Sequence, residues 1–376
     1  MSIRDDPASV YRELGVTPVI TASGATTAYG GSKLRPEVME AMNSAATVMV
    51  EIDELNRAAG EVIAELTGAE AGFVSSGAAG GLVLQAAACV AGSDPIKMVQ
   101  LPDATGMKNE IIIQRSHRFP YDQCYRSVGA TLVDIGDGRR TQPWQLEAAF
   151  TERTAAVAYL VSPFVSQRAL TLPQVCEMAH ARGVPVIVDA ASALPPRASL
   201  RRFTAEGADM VIYSGGKGVR GPQGTGILCG RADLIEAAAA NSSPNQFIGR
   251  GLKVAKEEIV GLVTALRIFV DEDEEAETER YRFMSQRVVD ALFEIPGLDV
   301  GVEHDGRDYH IPTAIMRFTR SWNGPGRDQV LDAMAQGDPP VFLHSLGGPD
   351  EMGVEPINVS EDELEVVIRR LREELL

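Results

Sequence analysis

Long apolar runs are missing from this chain. No stretch of its 376 residues approaches the ~18 uninterrupted apolar residues of a membrane span, and the opening MSIRDDPASVY has no secretory apolar core. A cytoplasmic protein with no membrane partner is expected. Cysteine is sparse: Cys89, Cys124, Cys176 and Cys229 stand far apart with no CxxC pair, which argues against a zinc site and a disulfide framework and for buried free thiols. Histidine is scarce too, and the nearest pair, His304 and His310, lacks the i, i+4 spacing that sets two imidazoles on one helical face, so no metal is assigned. Positive charge is short: 35 basic against 52 acidic residues leave a net charge of -17, which repels a polyanion and makes nucleic acid an unexpected partner. Repeats and low-complexity linkers are also lacking.

What remains is ordinary globular composition, 45% hydrophobic and 23% charged, in a chain long enough for a large α/β domain with a smaller appended one. Between Gly68 and Gly230, Ala71–Ser75, Glu110–Gln114, Thr131–Ile135, Ala155–Val161, Val184–Asp189, Met210–Ser214 and Gly226–Cys229 read as strands. Leu82–Val90, Leu172–Arg182 and Leu234–Ala240 between them have helix-forming composition. Doubly apolar strands such as VPVIV in a βαβ alternation predict a mainly parallel sheet covered on both faces. Ile259, Leu262, Val263, Leu266, Phe269 and Val270 recur at helical spacing and lead into the acidic run DEDEEAETE, so one long helix with a solvated acidic face is predicted there. Leu298–Val302 and Thr313–Phe318 read as strands, and Asp328–Met334 and Glu361–Leu375 as helices, of a carboxy-terminal α/β unit. The expected divisions are an amino-terminal segment over 1–35, a large domain over 36–250, an interdomain helix over 251–280 and a small domain over 281–376.

The chemistry is written in Val184–Arg231. The strand VPVIV delivers Asp189 at its carboxyl end, and DMVIYS runs into SGGKGVRGPQGTG, which carries Lys217. Ligands of open α/β sheets bind outside the carboxyl ends of strands, so both residues are candidates to face one crevice. Gly215, Gly216 and Gly218 clear side chains from around Lys217. The pattern is not the P-loop GxxxxGK[ST], because Gly218 follows the lysine, and a nucleotide triphosphatase is set aside. A lysine with a strand-end aspartate suits pyridoxal phosphate, whose aldehyde needs an amine and whose pyridine nitrogen needs a carboxylate. AGFVSSGAAGG adds a strand end that opens a helix at Gly77, where free N–H groups and the helix dipole favour a phosphate.

ITASGATTAYGGSKL, EIDELNRAAGEVIAELTGAEAGFVSSGAAGG, QRSHRFPYDQ, VIVDAASALPP, SGGKGVRGPQGTG and GRGLKVAKEEIVGL together resemble the fold-type I pyridoxal-phosphate enzymes, and within them the family of bacterial selenocysteine synthase and D-glucosaminate-6-phosphate ammonia-lyase. The ammonia-lyase branch is the more similar, and the extension with which the synthase engages transfer RNA is not expected here. The resemblance implies the aspartate aminotransferase-like fold, with a mainly parallel seven-stranded sheet, and a homodimer or higher homo-oligomer. It implies Lys217 as the Schiff-base lysine, Asp189 as partner of the pyridine nitrogen and His117 as the ring stacked on the cofactor. Ser76, Gly77, Ala78 and Ser214 are implied at the phosphate. Gln223, Arg250 and Lys253 are implied to serve the neighbouring subunit's site. Arg250, His344 and Ser23 are the candidates at the substrate. Where the family carries an arginine for the substrate carboxylate, PPVFLHSLGG presents His344, which lacks the guanidinium fork; Arg317 or Arg250 are candidates to replace it. The expected reaction is α,β-elimination from a hydroxylated amino acid or amino-sugar acid to a 2-oxo acid, with a racemase or epimerase and a β-transferase as alternatives.

Overall fold

A computed structural model describes residues 6–162, 165, 168–306, 310–345 and 348–376. Seven strands form one sheet in the order Ala71–Ser76, Thr225–Gly230, Met210–Ser214, Val186–Asp189, Thr154–Leu160, Glu110–Gln114 and Thr131–Ile135. Only Thr225–Gly230 runs against its neighbours; the other six point one way. The sheet is mainly parallel, as the doubly apolar strands require. Alternate residues feed two cores. Val157, Val186, Val188 and Val211 pack on one face, and Ile111, Ala156, Ile187 and Ile212 on the other, all nearly or fully buried.

The chain divides into two compact units. One is Leu34–Glu272, which contains the sheet; the other combines Met1–Lys33 with Asp273–Leu376. The second unit holds an antiparallel sheet of Glu351–Val354, Thr313–Phe318 and Leu298–Glu303, together with a parallel pair of Ile20–Ala22 and Val341–Leu343. Among the described residues no helix is long and apolar enough to cross a membrane. All four cysteines are free; Cys176 and Cys229 are buried as expected, whereas Cys89 and Cys124 are half-buried.

The single long helix expected after Ile259 is two, Lys256–Asp271 and Glu274–Leu292. Glu272 is extended, and the Asp273 side chain accepts the Glu275 and Ala276 amides, so the aspartate caps a new helix instead of continuing the old one. The break lies where the chain leaves the first unit. Glu272 is held there by Arg35, which is nearly buried, and by Arg197, whose guanidinium also lies over the Phe269 ring at 4.9 Å. Arg35 stands just past the other crossing, Lys33 to Leu34, so one ion pair ties the two ends of the sheet-bearing unit together.

The Ile52–Thr67 helix sits unusually close to the sheet edge because two glycines meet. A Cβ on Gly60 would lie 2.2 Å from the Gly72 carbonyl oxygen, inside contact distance with immovable backbone. Gly60→Ala is expected to destabilise the fold by about 1–3 kcal/mol, the usual penalty of overpacking. Urea unfolding checks this, and an unchanged midpoint would mean that the helix can slide on the strand.

Candidate active site

The parallel ladders bring the candidate residues to one edge. Leu160 pairs with Asp189 and Asp189 with Ile212, so three adjacent strands end together, and Ser214 closes the third. The chain then turns through Lys217. The Arg220 amide donates to the Lys217 carbonyl at 2.8 Å, and the Gly221 amide donates to the Gly215 carbonyl at 2.8 Å. Arg220 takes a left-handed conformation, φ 58°, to make that turn, which a non-glycine residue adopts only at a cost. The loop is packed on itself: a Cβ on Gly216 would lie 2.5 Å from Gln223 Oε1, and one on Gly218 2.3 Å from the Leu194 carbonyl. Glycine is therefore demanded by the loop's own closure, and Gln223 is folded over Gly216.

Asp189 is 8% exposed, and its Oδ1 accepts the Ala191 amide at 3.0 Å. Burial pushes its carboxyl above the ordinary range, while that amide and the Lys217 charge pull it back. Lys217 shows the converse. Burial lowers its ammonium below the ordinary value, Asp189 partly restores it, and Nζ donates to Ser192 Oγ at 2.6 Å. A lysine with a lowered pKa holds more of the neutral amine that attacks an aldehyde.

His117 ends the 3-10 turn that follows Glu110–Gln114, and its ring is buried. Nδ1 accepts the Leu160 amide at 3.2 Å, which puts the imidazole beside the residue paired with Asp189. Burial lowers its pKa to about 4, so the ring is neutral. At Gly77 a 15-residue helix begins with no side-chain cap and no acidic residue in its first turn. The Gly77 amide donates to Gly224, and the place of a Gly77 side chain is open space, which leaves room at a helix N-terminus whose next amides are uncapped. Ser76 and Ala78 flank that opening. A desolvated amine, a buried carboxylate, a neutral ring and an uncapped helix start fit pyridoxal phosphate.

The remaining candidates are placed differently. Arg250 and Lys253 lie in the first unit, exposed, and neither side chain has a partner among the described residues. Ser23 and His344 belong to the other unit. Ser23 Oγ lies 3.0 Å from Thr21 Oγ1, and Ser23 bridges to Glu355; His344 pairs through its backbone with Gly353. Burial lowers the His344 pKa, against the pull of Glu351. Arg317 is engaged by Glu303 and by Glu351, so its guanidinium is already paired, which counts against it as the substitute for the missing arginine. Leu346 and Gly347 of PPVFLHSLGG lie outside the described residues. Ser192 was not singled out from sequence, although its place three residues after Asp189 was the available signal. Glu355, which burial raises to about 7 beside Gly24, carried none.

The family model described as L-seryl-tRNA selenium transferase (SelA) matches residues 18–292. The chain belongs to the SelA family. It is 33% identical to D-glucosaminate-6-phosphate ammonia lyase of Salmonella typhimurium over 97% of each protein. It is 35% identical to 5'-C-glycyluridine monooxygenase-decarboxylase of a Streptomyces species, over 97% of this chain and 92% of that protein. An L-seryl-tRNA(Sec) selenium transferase of Desulfovibrio desulfuricans is 29% identical over 64% of this chain and 52% of its own length, so this SelA member spans only part of that enzyme. The solved structure of D-glucosaminate-6-phosphate ammonia-lyase superposes with a TM-score of 0.86, at 33% identity, over 97% of this chain and 98% of that one. A cysteine desulfurase of Escherichia coli at 18% identity shares the fold, with a TM-score of 0.57 over 95% and 94% of the chains. The SelA chain is thus a fold-type I enzyme, and its cofactor is pyridoxal phosphate.

In the cofactor-free protein, Asp189→Asn removes the charge that raises the Lys217 pKa, so that pKa falls further below the ordinary value. The pH midpoint for acylation of Lys217, followed by peptide mass spectrometry, is expected to move down; an unmoved midpoint would show that the two groups do not interact.

Proposed function

We propose that this chain is a pyridoxal-phosphate-dependent lyase that converts a hydroxylated α-amino acid or amino-sugar acid into a 2-oxo acid and ammonia. The half-buried Lys217 and the buried Asp189, set at or just after the ends of neighbouring strands, carry this reading, and the end-to-end likeness to an ammonia-lyase supports it. Pyridoxal phosphate, when bound, supplies an aldehyde that condenses with amines and a ring that accepts the electron pair left at Cα. Lys217 would hold the cofactor aldehyde through Nζ, and the same Nζ would take the Cα proton of the substrate. Asp189 would hold the pyridine nitrogen and favour a positive charge there. That charge deepens the electron sink and favours expulsion of a β-substituent. His117 stacks on the ring without competing for protons, being neutral. The uncapped amides that follow Gly77, with Ser76, Ala78 and Ser214 around them, would take the phosphate, and Gln223 braces the lysine loop. The α-proton and β-hydroxyl leave as water, one water is taken up again, and ammonia departs.

The finer assignments follow the same reading. The protein is a cytoplasmic homodimer in which Arg250 and Lys253, cationic and unpaired, reach the site of the neighbouring subunit. Ser23 and His344 are assigned to the substrate, His344 as a neutral donor where a guanidinium fork would otherwise stand. A second reading comes from the Streptomyces relative, whose name describes a monooxygenase-decarboxylase, a reaction that consumes oxygen and releases the carboxylate.

Incubation of hydroxyamino acids and 2-amino-2-deoxy sugar acids in deuterium oxide, with NMR, an ammonia assay and an oxygen electrode, separates these reactions. A 2-oxo acid with stoichiometric ammonia and no oxygen uptake is the expected result. Cα inversion without ammonia, or oxygen uptake with carbon dioxide, would refute the lyase. Borohydride reduction is expected to fix the cofactor on Lys217, and a label on another lysine would reassign the base. Asp189→Asn is expected to lower turnover by orders of magnitude while most cofactor stays bound; near-normal turnover would make Asp189 a structural cap.

A further inference from the structure

His117 is held along one direction by a hydrogen bond and along another by a ring that no catalytic assignment has used. The Leu160 amide donates to Nδ1 at 3.2 Å, which requires a lone pair there and places the proton on Nε2. Nε2 is buried, with no hydrogen-bond partner among the described residues. The Tyr159 ring stands perpendicular to the imidazole, 89° between planes, with centroids 4.6 Å apart. A single hydrogen bond leaves the imidazole free to swing about the bond axis, and a perpendicular ring at contact distance removes that freedom.

We propose that Tyr159 is a positioning residue for the reaction, fixing the plane of His117 so that the neutral ring, protonated on Nε2, is preset to stack on the cofactor. This rests on His117 being the stacking ring. Tyr159 and Leu160 are consecutive at the end of one strand, whose residues pair with Val188 and Asp189 of the next. The clamp on the imidazole and the buried carboxylate are therefore set by the same ladder, and a shift of one moves the other. Tyr159 is suited to the task because its hydroxyl, pushed by burial up to about 12, stays uncharged at any working pH. Burial lowers His117 to about 4, and no charged group contributes to that shift.

The test compares holoenzymes of the natural protein, Tyr159→Leu, Tyr159→Phe and His117→Ala by cofactor dissociation constant and by the visible circular dichroism of the bound cofactor. Tyr159→Leu is expected to weaken cofactor binding about ten-fold, the worth of one perpendicular ring pair, and to change the dichroic band, while Tyr159→Phe, which keeps the ring, restores both. No change in Tyr159→Leu, with a clear change in His117→Ala, overturns the proposal and leaves the stacking assignment standing. No change in His117→Ala overturns the assignment and the proposal with it. Should Tyr159→Leu fail to fold, the ¹⁵N shifts of His117 in the natural protein decide: Nε2 protonated and invariant from about pH 5 to 9 is expected, and a proton on Nδ1 or a titration within that range overturns it.

Discussion

Holding a half-buried amine partly out of water within the field of a buried carboxylate is unfavourable, and the sheet-bearing unit is organised around bearing that cost. Burial works against the charge on each group, driving the Asp189 carboxyl up and the Lys217 ammonium down. Their mutual attraction offsets part of the loss, and the Ala191 amide and Ser192 hydroxyl offset more. Such compensation works only at fixed geometry. Fixed geometry is what the parallel ladder provides, since Asp189 is locked in register between Leu160 on one side and Ile212 on the other.

The same edge resolves an electrostatic contradiction. A chain of net charge -17 handles an anionic cofactor, and its overall field opposes that. Local features reverse the sign. An uncapped helix start with no acidic residue in its first turn, the Lys217 ammonium, and Arg250 and Lys253, which have no partner among the described residues, are concentrated in the unit that carries the site. Screening confines the opposing field of distant surface carboxylates to about 8–10 Å at ordinary salt, so nearby cations and amides dominate at the site itself.

Much of this was legible in the sequence where one residue type leaves few alternatives. Strands such as Glu110–Gln114, Thr131–Ile135 and Met210–Ser214 have the predicted limits because β-branched runs ending at polar or glycine residues suit little else. Lys217 and Asp189 stood out through their glycines and strand ends. Short partners were less visible. Ile20–Ala22 and Val341–Leu343 form a pair only because residues more than three hundred positions apart meet, and no local pattern announces that. The helix break at Glu272 was hidden because apolar spacing runs up to it, while the capping role of Asp273 depends on one side-chain rotamer inside an acidic run. Tyr159 gains meaning only from its tertiary neighbours, since nothing in AYL distinguishes it from an ordinary strand-end residue.

The Arg35–Glu272 ion pair has a genealogical reading. Because it joins the first and last turns of the 34–272 unit, that unit enters and leaves at a single point, as an inserted cassette does. The remaining unit is written in two pieces, 1–33 and 273–376, which the strand pair Ile20–Ala22 and Val341–Leu343 splices back into one. Insertions into the cassette that leave its two ends adjacent leave the chain path of the split unit unchanged.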